Sequence, residues 1–261
     1  MSLTGKTLAA TYKDILQVDN SNNGVDTTLR NVKDGEGTSS SLFLSDDVVR
    51  VVPQNDNTTA SLEVRANGGG TVLSVNTTSE LVVASGNTVN TQYAYFMVDG
   101  SDSSSFLANT HYAIPFQGGM SAVGYPPAFG TSTDPGTTFT TAEANGTRGQ
   151  DIVPMLWLVP DAITIDSIKG IEGADSASGD TTRMHLLSYD FTSGSTSCLT
   201  NGTLLAHNSD VTNAGSEQAY LSTFTIDSAD VAANKVILAF LRSDSVSSDY
   251  AINITVKYHL T

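Results

Sequence analysis

The residues best placed to do chemistry in this chain are two acidic turns, a set of aromatics and four separated histidines. Asp99-Gly100-Ser101-Asp102-Ser103 and Asp34-Gly35-Glu36-Gly37 put carboxylate and hydroxyl oxygens on tight turns. Hard cations prefer such ligands, so Asp99 and Asp102 are the candidate calcium positions. Neither segment carries the full EF-hand pattern, and Asp-Gly is also an ordinary turn signal, so plain turns are the favoured reading and no cofactor is expected. Tyr125 and Phe129, in the Gly- and Pro-rich segment Tyr125-Pro126-Pro127-Ala128-Phe129-Gly130, and Trp157 are the candidate glycan contacts, because aromatic faces stack on sugar rings. Trp157 sits within Met155-Leu156-Trp157-Leu158-Val159 and reads first as core.

Catalytic signatures are missing. The chain has no phosphate-cradling P-loop, no His-Glu-x-x-His pair, no Gly-x-Ser-x-Gly elbow and no dinucleotide fingerprint. His111, His185, His207 and His259 are far apart in sequence, and a non-enzymatic protein is expected. Cys198 is the only cysteine, which excludes an intrachain disulfide. Twenty-seven acidic against twelve basic residues give a net charge of −15. Such a surface repels phosphate, so nucleic acid is not an expected partner. No apolar run approaches the roughly 20 residues that span a membrane, and Met1-Ser2-Leu3-Thr4-Gly5-Lys6 lacks the order of a secretory signal.

The elements that would carry these residues are mostly strands. Ser41–Ser45, Asp47–Val52, Ser61–Val64, Val72–Val75 and Glu80–Val83 are short alternating segments, with Asn67-Gly68-Gly69-Gly70 as a hairpin signal between the third and fourth. Leu8, Tyr12 and Ile15 or Leu16 share one face of a short helix over residues 4–16. Of the nineteen aromatics only Tyr12 and Phe43 fall in residues 1–90. A segment of that length needs large residues in several layers to fold alone. Three copies side by side would bury the thin apolar stripes on a common axis, which makes residues 31–90 a trimeric β shaft.

Composition changes at Gln92, where Tyr93, Tyr95, Phe96, Phe106, Tyr112 and Phe116 supply material for a core. Gly86-Asn87-Thr88 is the expected hinge. Residues 117–150 read as a long loop, followed by strands at 153–159, 162–168, 184–189, 219–226, 235–241 and 250–260. That spacing predicts an antiparallel sandwich or jelly-roll head over 91–261. The fold class expected is therefore all-β: a short helix, an intertwined shaft and a sandwich head.

Tyr12 to Gly24, Val32 to Thr38 and Leu42-Phe43-Leu44-Ser45, with Ile163 to Asp166, His185 to Asp190 and Ile254 to Leu260, resemble fibre-like structural proteins of tailed phages, particularly marine ones. The resemblance covers most of the chain but rests on strand-turn architecture, so it transfers no catalytic residue. It implies a homotrimeric virion appendage. Residues 1–30 would anchor it to capsid or tail proteins, and the distal head would meet a host-surface glycan or stabilise the particle. A free carbohydrate-binding sandwich module is the alternative.

Overall fold

A computed structural model of the chain describes residues 15–21, 23–99, 107–118, 127–142, 148–174, 178–215, 218–244 and 250–261. The chain divides between Val89 and Asn90 into two compact units. Almost all regular structure in both is antiparallel strand. The helix expected over 4–16 lies, apart from its last two residues, outside the described residues.

The amino-terminal unit holds two four-stranded meanders. One runs β1 (Gln17–Val18), β2 (Arg30–Lys33), β3 (Ser39–Leu44) and β4 (Val49–Val51). The other runs β5 (Leu62–Arg65), β6 (Thr71–Asn76), β7 (Leu81–Ala84) and β8 (Asn87–Thr88). Short polar side chains close the hairpins. Asp34 Oδ1 accepts from the Glu36 amide at 2.9 Å and the Thr38 amide at 2.8 Å, and Gly37 completes the turn at φ +88°. These bonds hold the Asp34 carboxyl below its ordinary range, the Thr38 amide contributing most, and make the segment an Asx turn. Ser85 at φ +49° and Gly86 at φ +81° give the two positive dihedrals of a type I′ hairpin between β7 and β8. Gly86-Asn87-Thr88, where the hinge was expected to within several residues, forms a hairpin, because a β-turn there uses glycine's left-handed freedom to reverse the strand, and the chain divides just beyond it, after Val89.

The carboxy-terminal unit packs two sheets face to face. The smaller contains β9 (Thr91–Asp99), β12 (Ile163–Ala174), β16 (Gln218–Thr223) and β20 (Tyr250–Leu260) in the order β16-β12-β20-β9, with β18 (Asp230–Val231) beside β12. The larger runs β10-β19-β13-β14-β17, from β10 (His111–Ile114), β13 (Thr181–Phe191), β14 (Leu199–His207), β17 (Thr225–Ile226) and β19 (Lys235–Ser243). Here β11 (Trp157–Val159) joins β19, and β15 (Val211–Thr212) joins β13. Phe96, Ile168, Met184, Leu186, Ile237, Ala239 and Ile254 fill the space between the sheets. Leu187, Tyr189, Leu238 and Phe240 point the other way, into a second core closed by Phe129, Phe139 and Ile152 of the short helix α1 (Gly149–Ile152). Burial on both faces explains the unbroken apolar run Val236-Ile237-Leu238-Ala239-Phe240-Leu241, whereas β20 alternates because only one of its faces is covered.

Several expectations need correction. Residues 153–155 form a 3-10 turn, and only 157–159 of the strand expected at 153–159 is extended. Within the expected loop, residues 127–142 cover the larger sheet. Strand β14 was concealed by Asn201-Gly202, which reads as a turn but is a bulge, with Asn201 at φ +53° and a register shift opposite β13. A Cβ on Gly202 would lie 2.6 Å from Tyr189 Cε1 and 2.8 Å from Thr137 Cα, so both a buried ring and a backbone stand in its way. Gly202→Ala should destabilise this unit by about 1–3 kcal/mol. Denaturant unfolding followed by the fluorescence of Trp157, the only tryptophan, reads this unit directly; an unchanged midpoint would show that the bulge relaxes freely.

Candidate functional site

The amino-terminal unit presents its apolar side chains without covering them. In the β5–β8 meander, Leu62 pairs with Val75 and Val75 with Val82, while Val64 pairs with Leu73 and Leu73 with Ala84. Cross-strand partners share a face, so these six residues form one apolar surface. Glu63, Ser74 and Val83 occupy the reverse side. Leu62 is 47% exposed, and Val64 and Val82 are exposed with it. The β1–β4 meander repeats the arrangement: Leu42 lies opposite Val51 and Leu44 opposite Val49, and Val49 is 71% exposed. Among the described residues of this unit, Val32 is the only buried apolar side chain. Full burial of an aliphatic side chain contributes roughly 1.5–3 kcal/mol, so covering the six half-exposed residues of β5–β7 is worth on the order of 5 kcal/mol per chain. That is comparable to the whole stability of a small domain.

The aromatic positions singled out from sequence are not gathered into one surface. Phe129 is 3% exposed and stacks on Phe139 at 4.6 Å, with the edge of Phe240 also at 4.6 Å. Trp157 is buried against Phe116, its ring stacked at 5.7 Å. Both rings are core, and neither offers a face to a sugar. Their surroundings explain this: Phe129 closes the second core, and Trp157 sits on a strand that joins β19. Tyr125 and Asp102 lie outside the described residues; Asp99 ends β9, and its side chain is likewise outside them. Tyr93 and Tyr95, expected in the core, point outward instead, at 54% and 44% exposure, while Phe96 between the sheets is fully buried. A cleft of about 750 Å³ lined by Thr141, Arg148, Gln150 and Thr196 borders α1.

Folding brings together three histidines that sequence spacing left apart. His185 of β13 pairs across strands with His207 of β14, their rings 6.4 Å apart, and the His111 ring meets His185 edge-on at 4.9 Å. His111 Nε2 bonds the Ser132 carbonyl at 3.0 Å, and His207 Nδ1 bonds Asp227 at 2.7 Å. Neither nitrogen of the buried His185 has a hydrogen-bond partner; Nε2 lies 3.3 Å from Asp134 Oδ1 outside bonding geometry. Burial, with the positive field of His111 and Arg183, pushes its pKa down to about 3. Among the described residues no group of three His, Cys, Asp or Glu side chains is arranged to hold a metal ion. His185 was hidden because it lies within the apolar run Met184-His185-Leu186-Leu187, and its neighbours depend on the unrecognised β14.

The other unusual acid–base group is Glu172, 2% exposed on the inner face of β12. Burial raises its pKa to about 7, opposed by the Thr182 hydroxyl, which donates to the carboxylate at 2.5 and 2.6 Å. No protein-family model and no curated protein matches this chain.

Glu172 and His185 give the carboxy-terminal unit two opposed pH dependences. The raised pKa of Glu172 contributes stability that is complete below about 4.5 and lost as pH rises through about 7. The depressed pKa of His185 contributes stability that is complete above about 6.5 and lost as pH falls toward 3. Each is worth on the order of a few kcal/mol. Relative to wild type, Glu172→Gln should lose the gain on acidification from pH 7 to 4.5, and His185→Phe should become progressively more stable below pH 6.5. Trp157-monitored unfolding across pH checks both; parallel curves for wild type and variant would contradict the assignment.

Proposed function

We propose that this protein is a non-enzymatic structural component of a bacteriophage virion, a homotrimeric fibre or decoration appendage. The observation that carries this reading is the uncovered apolar face of β5, β6 and β7. A three- or four-stranded sheet needs its hydrophobic face packed against something to be stable. Three copies of this sheet wrapped around an axis supply that cover with no other partner, and they leave outward the reverse side, where Glu63, Ser74 and Asn76 stand with Val72, Leu81 and Val83. In this reading residues 31–90 are the intertwined shaft, residues 1–30 attach it to capsid or tail proteins, and residues 91–261 form the distal head at the particle surface.

The head is read as a jelly roll. Its support is the pairing of the eight principal strands β9, β10, β12, β13, β14, β16, β19 and β20: first with eighth, second with seventh, third with sixth and fourth with fifth. That is one long hairpin folded over into two sheets, the double Greek-key arrangement of jelly rolls. The resemblance of the front segments to phage fibre-like proteins supports placing the assembly on a particle. Calcium and a host glycan belong to this proposal only as ligands to be tried; the burial of Phe129 and Trp157 weighs against the lectin-like alternative at those positions.

Sedimentation of the full chain at micromolar concentration should give a trimer, and an antibody to the head should label intact virions. Val75→Asp, at the centre of the apolar face, should weaken assembly at least about tenfold while leaving Trp157-monitored unfolding of the head unchanged. A wild-type chain that sediments as a folded monomer would overturn the reading.

A further inference from the structure

The segment that covers the larger sheet is fastened at its middle by two histidines. The His111 amide donates to the Gly130 carbonyl at 3.0 Å, and its carbonyl accepts from the Phe129 amide at 2.8 Å. Its Nε2 bonds the Ser132 carbonyl, and Asp134 stands over His185, whose ring the His111 ring meets at 4.9 Å. A carbonyl only accepts, so Nε2 of His111 carries the proton and Nδ1 is bare; that nitrogen is buried without a partner, as are both nitrogens of His185. A proton arriving on either ring therefore creates a buried charge and a new N–H with no acceptor in bonding geometry. The flanks are tied differently, by the Ala113 amide on the Pro127 carbonyl, the Gly202 amide on the Thr137 carbonyl and the Phe139 amide on the Leu199 carbonyl.

Strand register sets the charges around the pair. Arg242 of β19 lies opposite His111 and also opposite Arg183 of β13, and His207 of β14 lies opposite His185. Arg183 is tied to Asp210 and His207 to Asp227, each at 2.7 Å, whereas Arg242 bonds the amide oxygen of Asn109 at 2.8 Å. Asp244, two places beyond Arg242, accepts from the Thr181 amide at 2.6 Å. The cover brings one carboxylate, Asp134, and at 56% side-chain exposure it is largely solvated and a weak counter-charge. Burial holds His111 as well as His185 below the ordinary histidine range, and the field of Arg242 acts on both in the same direction.

We propose that residues 129–136 are an acid-operated latch: protonation of His111 and His185 releases this stretch from the larger sheet and lifts Phe129 off the second core. Lifting it breaks the stacking of Phe129 on Phe139 and its contacts with Tyr189 and Phe240, so an aromatic surface that is closed at neutral pH opens in acid. The open stretch lets water reach both rings, which then take up protons at the ordinary histidine pKa of about 6.5. Each histidine makes opening about tenfold more favourable per pH unit below that value, and the two together about a hundredfold. The latch lies wholly within the carboxy-terminal unit and is independent of the assembly proposed above.

Hydrogen exchange of the full chain between pH 7.5 and 4.5, read by peptide mass spectrometry and corrected for the intrinsic pH dependence of exchange, tests the latch. Below pH 6.5, peptides within 127–139 should lose protection by about a hundredfold per pH unit, ahead of peptides from β12, β19 and β20. In His185→Phe, which fills the same space with a ring that cannot titrate, the loss should fall to about tenfold per unit, carried by His111 alone. His111→Gln, which keeps an N–H for the Ser132 carbonyl, should show the same reduction and supports the test if the first variant folds poorly. Cover and sheet peptides that lose protection together at one pH would show global unfolding and overturn the latch. So would equal slopes in wild type and both variants. Protection that rises with acid would make His185 and Asp134 a lock and overturn it as well.

Discussion

A β-sheet with an apolar face is stable only when that face is withdrawn from water, and the described residues of the amino-terminal unit form two sheets whose apolar faces are uncovered, with Val32 as their single buried apolar side chain. Backbone ladders and Asx turns specify the hairpins well: Asp34 caps one, Asn76 accepts from the Thr78 amide in another, and Ser85-Gly86 makes the third. These bonds set register but add little net stability, because each replaces a bond to water. What remains unsatisfied is area: Leu62, Val64, Leu73, Val75, Val82 and Ala84 on one face, and Leu42, Leu44, Val49 and Val51 on another.

The carboxy-terminal unit obeys the same rule and meets it internally. Its larger sheet is covered on one side by the smaller sheet and on the other by residues 127–142 and α1, so β19 is apolar at every position from Val236 to Leu241. Two of the polar side chains buried in this unit are ionisable groups with strongly displaced pKa values. Glu172 carries a single hydroxyl donor and His185 none, and their pKa values move in opposite directions because desolvation penalises whichever form is charged. Their opposed titrations offset one another between about pH 6.5 and 4.5. The outer face of the smaller sheet is left apolar where Tyr93, Tyr95 and Met97 stand, as the sheets of the other unit are.

Much of the fold was legible in the sequence wherever a strand had one wet face. The period-two segments of the first unit and of β20 were readable because solvent imposes the alternation. The thin front third was readable as a shortage of aromatics. Three things were not legible. Phe129 sits beside Pro and Gly, as loop aromatics do, and only the second core beneath it shows why it is interior. Asn201-Gly202 imitates a turn while acting as a bulge. Tyr93 and Tyr95 were assigned to the core by composition alone, although the parity of Phe96 puts them on the opposite face. The histidine row was beyond reach, since it exists only through the pairing of β13 with β14 and the placement of β10 beside β19.

The dependence of the front unit on neighbouring copies is tested most directly by hydrogen exchange at graded protein concentration. The account predicts that amides of β5, β6 and β7 gain protection as concentration rises through the assembly range, while those of β13 and β19 are protected throughout. Strong protection of β5 to β7 in a dilute solution where the chain is monomeric would contradict it.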